Sequence, residues 1–170
     1  LNYLDRYINN NNYNGEGQIV TIQDTPIDFY HEMFRDSSLN IQLNKRITGH
    51  RKFVYYGSKS SSTSDWSSKL EVNEHGTHVA GTVAGKSECS NDGNIGTSLF
   101  NGNAPDAKIL YVGDLNDVKS SDLGRLMKEY GSYISTNSWG VDGYNNNINH
   151  EYGKLAYDNP DRLFLFAAGN

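Results

Sequence analysis

Asn73-Glu74-His75-Gly76-Thr77-His78-Val79-Ala80-Gly81-Thr82 is the stretch on which the reading of this chain turns. Residues 75–86 suit a helix rich in small side chains, with an imidazole at its opening. Gly81 and Gly85 would let that helix lie close under a sheet edge, at some cost in helix propensity. Upstream, residues 19–23 form a short β-branched strand pattern that runs into Asp24. Downstream, residues 108–112 read as a second strand. Leu123, Leu126, Met127 and Tyr130 then recur at helical spacing. Residues 134–137 read as a third strand, and Ile148, Tyr152, Leu155 and Ala156 mark a further helix that Asn159-Pro160 ends. Residues 163–167 read as a fourth strand, and a buried one. Strands separated by helices imply an α/β fold: a mostly parallel sheet with helices on both faces. Sheets of this kind bind ligands beyond the carboxyl ends of their strands.

The chain of 170 residues fits one domain or a large part of a bigger one. Aromatic residues make up 12%, mostly Tyr, which argues for a packed core despite a mean hydropathy of −0.69. A net charge of −5, a pI near 5.4 and no Lys/Arg cluster exclude nucleic acid as the expected partner. The longest apolar run, 163–168, is far too short to span a bilayer. The single cysteine, Cys89, allows no internal disulfide. Asparagine runs at 9–12 and 145–147 and the serine-rich stretch 58–68 read as solvated loops, and no internal repeat is visible. The chain opens on Leu1 without a charged-then-apolar leader, so any signal peptide is expected outside it. It stops three residues after a core-like strand, so residues 1–170 are expected to be part of a domain that continues beyond 170.

Polar groups gather at the strand ends: Asp24 after the first strand, Asn137-Ser138 after the third, Gly169-Asn170 after the fourth. His75 opens the central helix. A carboxylate beside an imidazole suits general-base catalysis, the carboxylate fixing the tautomer and stabilising the imidazolium. Side-chain amides at strand tips can donate hydrogen bonds to an oxyanion.

The stretch 73–82 resembles the histidine segment of the subtilisin-like serine peptidases. Residues 19–25, ending in Asp24-Thr25, are similar to that family's aspartate segment. Gly102-Asn103-Ala104-Pro105-Asp106-Ala107-Lys108-Ile109 resembles the turn into its next core strand. Asn137-Ser138-Trp139-Gly140 resembles its substrate-binding segment, and Phe166-Ala167-Ala168-Gly169-Asn170 the segment that ends in its oxyanion asparagine. The resemblance implies that Asp24 orients His75, that His75 is the base, and that Asn170 donates to the oxyanion. It implies too that Ser138, Trp139 and Gly140 pair with an extended peptide substrate by strand addition. The Asp…His…Ser order is that of subtilisin itself, so the nucleophilic Ser is expected beyond this chain. The 170 residues alone are then expected to be inactive.

This chain departs from the family at Pro26, where Gly is usual. Proline fixes φ and lacks an N–H, so a catalytically inactive binding or regulatory domain of the same fold is the alternative. A nucleotide-binding module is a weaker rival, because Asp24-Thr25-Pro26 is a poor phosphate loop. No cofactor for catalysis is implied. The family often holds structural calcium, for which Asn91-Asp92-Gly93-Asn94 could supply oxygens, although such stretches are usually plain turns. His75 and His78 lack the Glu of a zinc helix between them, so no metal site is expected, and His78 is expected to pack beneath the site. Asp28 reads as a turn residue, Ser98 as a loop serine, and His31, His50 and His150 as surface or turn residues. The expected partner is a peptide or protein substrate. Asparagine runs suggest an amoeboid or other AT-rich genome, where similar proteases occur fused to membrane transporter domains. A propeptide or transporter domain elsewhere in the parent chain is therefore an expected companion. The expected location is outside the cell or in the secretory pathway, with any membrane tether beyond this chain.

Overall fold

A computed structural model describes residues 13–34, 45–46, 51–57, 74–86, 100–113, 119–140 and 146–169. Its elements run β1 (Ile19–Ile22), β2 (Lys45–Arg46), β3 (Phe53–Tyr56), α1 (Glu74–Ala84), β4 (Lys108–Tyr111), α2 (Ser120–Tyr130), β5 (Ile134–Asn137), α3 (Asn146–Asp158) and β6 (Leu163–Phe166). The six strands form one sheet in the order β2-β3-β4-β1-β5-β6. Every pairing is parallel except the edge pair β2–β3. The α/β reading therefore holds, with two additions. Sequence reading omitted β2 and β3, although Phe53-Val54-Tyr55-Tyr56 followed by Gly57-Ser58 carries a strand-and-turn signal.

Alternation along the strands sorts the core into two layers. Val20, Ile22, Ile109 and Tyr111 face α1, where Ala80 and Ala84 meet them together with Ile27, Phe29, Phe34 and Phe53. Leu110 and Val112 face the other way, onto Leu123, Leu126 and Met127 of α2 and onto Tyr152 and Leu155 of α3. Each fully buried side chain of this size contributes about 1.5–3 kcal/mol. The small residues of α1 bring its axis near the sheet, as expected, but Ala80 and Ala84 make the contact. On the buried back of β1, the Thr21 hydroxyl donates to Ser132 Oγ at 2.7 Å, and that hydroxyl in turn faces the Ile19 and Ile134 carbonyls. A buried polar group is thereby satisfied inside the central strand.

β6 is the outermost strand among the described residues, with Leu163, Leu165 and Phe166 each exposed by 44% or more. The expectation of a buried strand at 163–167 concerns a domain continued beyond 170, whose segments would cover this edge. Among the described residues, β6 is covered only where Phe164 and Phe166 reach the α2–α3 layer.

Candidate active site

From β1 the chain builds one side of the sheet first, through β2, β3 and β4, and then crosses to the other side, to β5. Its carboxyl end is thus the point where the strand order reverses, the place where such sheets bind ligands. Asp24 stands there and is buried, 2% exposed. His75 is the second residue of α1, half exposed, and its Nδ1 lies 2.8 Å from Asp24 Oδ1. The same carboxylate oxygen accepts the Thr25 N–H at 2.7 Å and the Thr25 hydroxyl at 3.2 Å. Thr25 Oγ1 accepts the Gly76 N–H at 2.9 Å, so one threonine joins the strand tip to the helix start. The Tyr111 hydroxyl donates to the Asp24 backbone carbonyl at 3.1 Å. Asp24 Oδ2 is buried and has no hydrogen-bond partner among the described residues.

Two features allow this approach of helix to strand. Gly76 passes so close that an added Cβ would sit 2.1 Å from the Thr25 carbonyl oxygen. At the other end of α1, the N–H groups of Gly102, Asn103 and Ala104 donate to the carbonyls of Gly85, Thr82 and Val83. Those bonds satisfy acceptors that a helix terminus leaves open. Pro26 is accommodated, with the Asp24–His75 contact intact beside it.

Ser138, Trp139 and Gly140 leave β5 at the same end of the sheet, where the Gln23 N–H reaches the Thr136 carbonyl. Ser138 and Trp139 are half-buried and Gly140 is exposed. The indole of Trp139 packs edge-on against Tyr152 and Phe166, its ring centroid 5.3 and 5.7 Å from theirs. Ala167 N–H donates to the Asn137 carbonyl at 3.1 Å, so the segment after β6 follows the same edge. Asn170 lies outside the described residues, as do Cys89, His50, Ser98 and the 91–94 stretch. Strand ends of β1, β5 and β6 are therefore neighbours, carrying Asp24, the 138–140 segment and residues 167–169.

Other candidates fall elsewhere. Asp28 is a turn residue: its Oδ1 accepts the Tyr30 N–H, and its own N–H donates to Thr77 Oγ1. His78 does not pack beneath the site as expected; it is exposed, because the buried stripe of α1 runs through Gly76, Ala80 and Ala84. His78, Asp28 and His31 instead line a cavity of about 590 Å³ bordered by Phe34 and Phe100. Among the described residues, no group of three or more His, Cys, Asp or Glu is placed to hold a metal ion. Sequence reading gave no role to Thr25, Gln23 or Tyr152. Thr25 had a signal, as a hydroxyl residue directly after a strand-tip carboxylate.

A sequence model described as the Subtilase family matches residues 15–170. The chain belongs to the subtilase family. It is 33% identical, over 92% of its length, to the serine protease/ABC transporter B family protein tagD of Dictyostelium discoideum. It is also 33% identical, over 98% of its length, to the tagB protein of the same description and organism. The chain spans about 9% of the length of each of these relatives. Among solved structures it is similar to a mutant of the protease domain of PatA, with a TM-score of 0.52 and 23% identity over 93% of this chain and 52% of that one. A second similar structure is MycP1 with its N-terminal propeptide removed, with a TM-score of 0.50 and 19% identity over 99% of this chain and 48% of that one. These two likenesses show the fold, a subtilisin-like protease fold.

Proposed function

We propose that this subtilase segment belongs to a serine endopeptidase that cleaves peptide bonds by acyl transfer. The nucleophilic serine would lie beyond Asn170 in the parent protein. The observation that carries the reading is the 2.8 Å contact between Asp24 Oδ1 and His75 Nδ1 at the carboxyl end of the central strand. With Asp24 ionised and accepting, the ring proton sits on Nδ1 and Nε2 is the basic nitrogen. Nε2 would take the serine proton as the hydroxyl oxygen attacks the scissile carbonyl, and would return it to the leaving amine. Asp24 stabilises the imidazolium formed between those steps. Its burial in a site partly shielded from water strengthens that interaction. Asn170 would donate to the oxyanion, and the backbone at 138–140 would pair with an extended substrate as an added strand.

The relatives' description extends the proposal. A parent chain that also carries an ABC transporter module would place this domain in the secretory pathway, tethered to a membrane through segments outside these residues. No helix among the described residues is long and apolar enough to cross a membrane itself. A propeptide elsewhere in the parent and structural calcium at 91–94 remain part of the same proposal.

Labelling with a fluorophosphonate tests the reading. The full-length protein should label on a serine within a Gly-Thr-Ser-small-Pro segment downstream of Asn170, and His75→Ala should abolish the labelling. A parent sequence with Ala or Gly at that serine, or a wild-type protein that neither labels nor hydrolyses peptides, would sink it in favour of a binding or regulatory domain.

A further inference from the structure

A second set of contacts reaches the same strand end from the face opposite His75. Side chains alternate along β1, so Asp24 points toward α1 while Gln23 points toward α3. There the Tyr152 hydroxyl donates to Gln23 Oε1 at 2.7 Å, in a buried position. Burial pushes the Tyr152 phenol up to about 12, against the pull of the Gln23 bond, so the hydroxyl keeps its proton and stays a donor. The ring of Tyr152 also belongs to an aromatic trio. Its centroid is 5.3 Å from Trp139 and 5.3 Å from Phe166, and those two rings are 5.7 Å apart. All three contacts are edge-on, the arrangement that aromatic quadrupoles favour. One side chain thus touches the residue before Asp24, the middle of the 138–140 segment and the tip of β6.

We propose that Tyr152 is a positioning residue for peptide hydrolysis. Its hydroxyl steadies the Asp24 strand tip through Gln23, and its ring sets the Trp139 segment along which substrate would pair. This inference rests on the peptidase reading above. The two tasks sit on different atoms of one residue, so substitution separates them. In the full-length protein, Tyr152→Phe keeps the ring and removes the hydroxyl. It should lower kcat about threefold to tenfold and leave KM for an extended peptide unchanged. Gln23→Leu should reproduce that effect, and the two together should cost no more than either alone. Tyr152→Leu removes the ring as well. It should raise KM for the extended peptide about threefold to tenfold further, while KM for a single-residue ester, too short to pair with 138–140, stays the same.

Rates are taken per fluorophosphonate-titrated site, so misfolded protein drops out. Hydrogen–deuterium exchange on the same proteins needs no catalysis: Tyr152→Phe should speed exchange over 23–25 alone, and Tyr152→Leu over 138–140 as well. A proportional loss on both substrates, or exchange rising uniformly through β1, β5 and α3, would overturn the positioning role in favour of a merely structural one. Should the wild type neither label nor hydrolyse, the peptidase reading fails separately, and the exchange pattern alone decides whether Tyr152 couples the two segments.

Discussion

One oxygen of Asp24 accepts the Thr25 N–H and hydroxyl and lies 2.8 Å from His75 Nδ1. In the proposed peptidase, that contact would orient the imidazole and favour the Nδ1-protonated tautomer. Asp24→Asn keeps the shape but offers an amide that can present its NH2 to Nδ1 and reverse the tautomer. It should lower kcat by about 10⁴, measured on a peptide substrate with the full-length protein. His75→Ala should fall at least as far, whereas Asp28→Asn, which loses only a turn contact, should stay within a few-fold. A result in which Asp28→Asn abolished turnover and Asp24→Asn did not would reverse the assignment of the carboxylate. Asn170→Ala should lower kcat about 10²- to 10³-fold with KM little changed, the magnitude this donor has in subtilisin itself. Asp24 and His75 were legible because each sits within a contiguous motif. Tyr152 was not, since its partner Gln23 is 129 residues away and nothing local announces the pairing.

At the scale of elements, α1 is defined by what it lacks. Glycine at 76 leaves room for the Thr25 carbonyl, and Gly102 comes so near the Gly81 carbonyl that an added Cβ would lie 2.4 Å from it. In both cases the obstacle is backbone, which cannot rotate aside as a side chain would. Gly76→Ala should therefore destabilise the domain by about 1–3 kcal/mol in urea unfolding, and should reduce hydrolysis per folded molecule by moving His75 away from Asp24. A variant as active and as stable as the wild type would show that the helix start can shift without cost. Sequence periodicity located α1, α2, α3 and four of the strands. It omitted β2 and β3, a short pair at one edge of the sheet whose partners become known only once β4 is in place.

At the scale of the whole molecule, the least expected buried group among the described residues is Lys52, which is 2% exposed. Its ammonium donates to the Pro105 and Ala107 carbonyls, at the turn into β4. Burial lowers its pKa to about 8, helped by nearby Arg51 and Lys86 and opposed by Asp106. Between pH 8 and the ordinary lysine value the unfolded chain binds more protons than the folded one, so stability rises with pH across that window. Below pH 8 both states are protonated and the cost of the buried charge is fully present. Above about 10.5 both are neutral and the cost is gone. The wild type should gain up to about 3 kcal/mol relative to Lys52→Met between those limits, read from urea unfolding at stepped pH. Parallel curves for the two proteins would show that Lys52 is solvated in the folded state.

Order along the chain was enough to settle the α/β class, the sheet with helices on both faces and the subtilisin-like resemblance. Those properties depend on local periodicity and on short contiguous motifs. Tertiary structure alone decided that His78 faces outward, that Thr25 joins the tip of β1 to the start of α1, and that Tyr152 bonds Gln23 on the opposite face of β1. Each of these depends on a contact between segments far apart in sequence, and such contacts exist only once the sheet has brought the strand ends together.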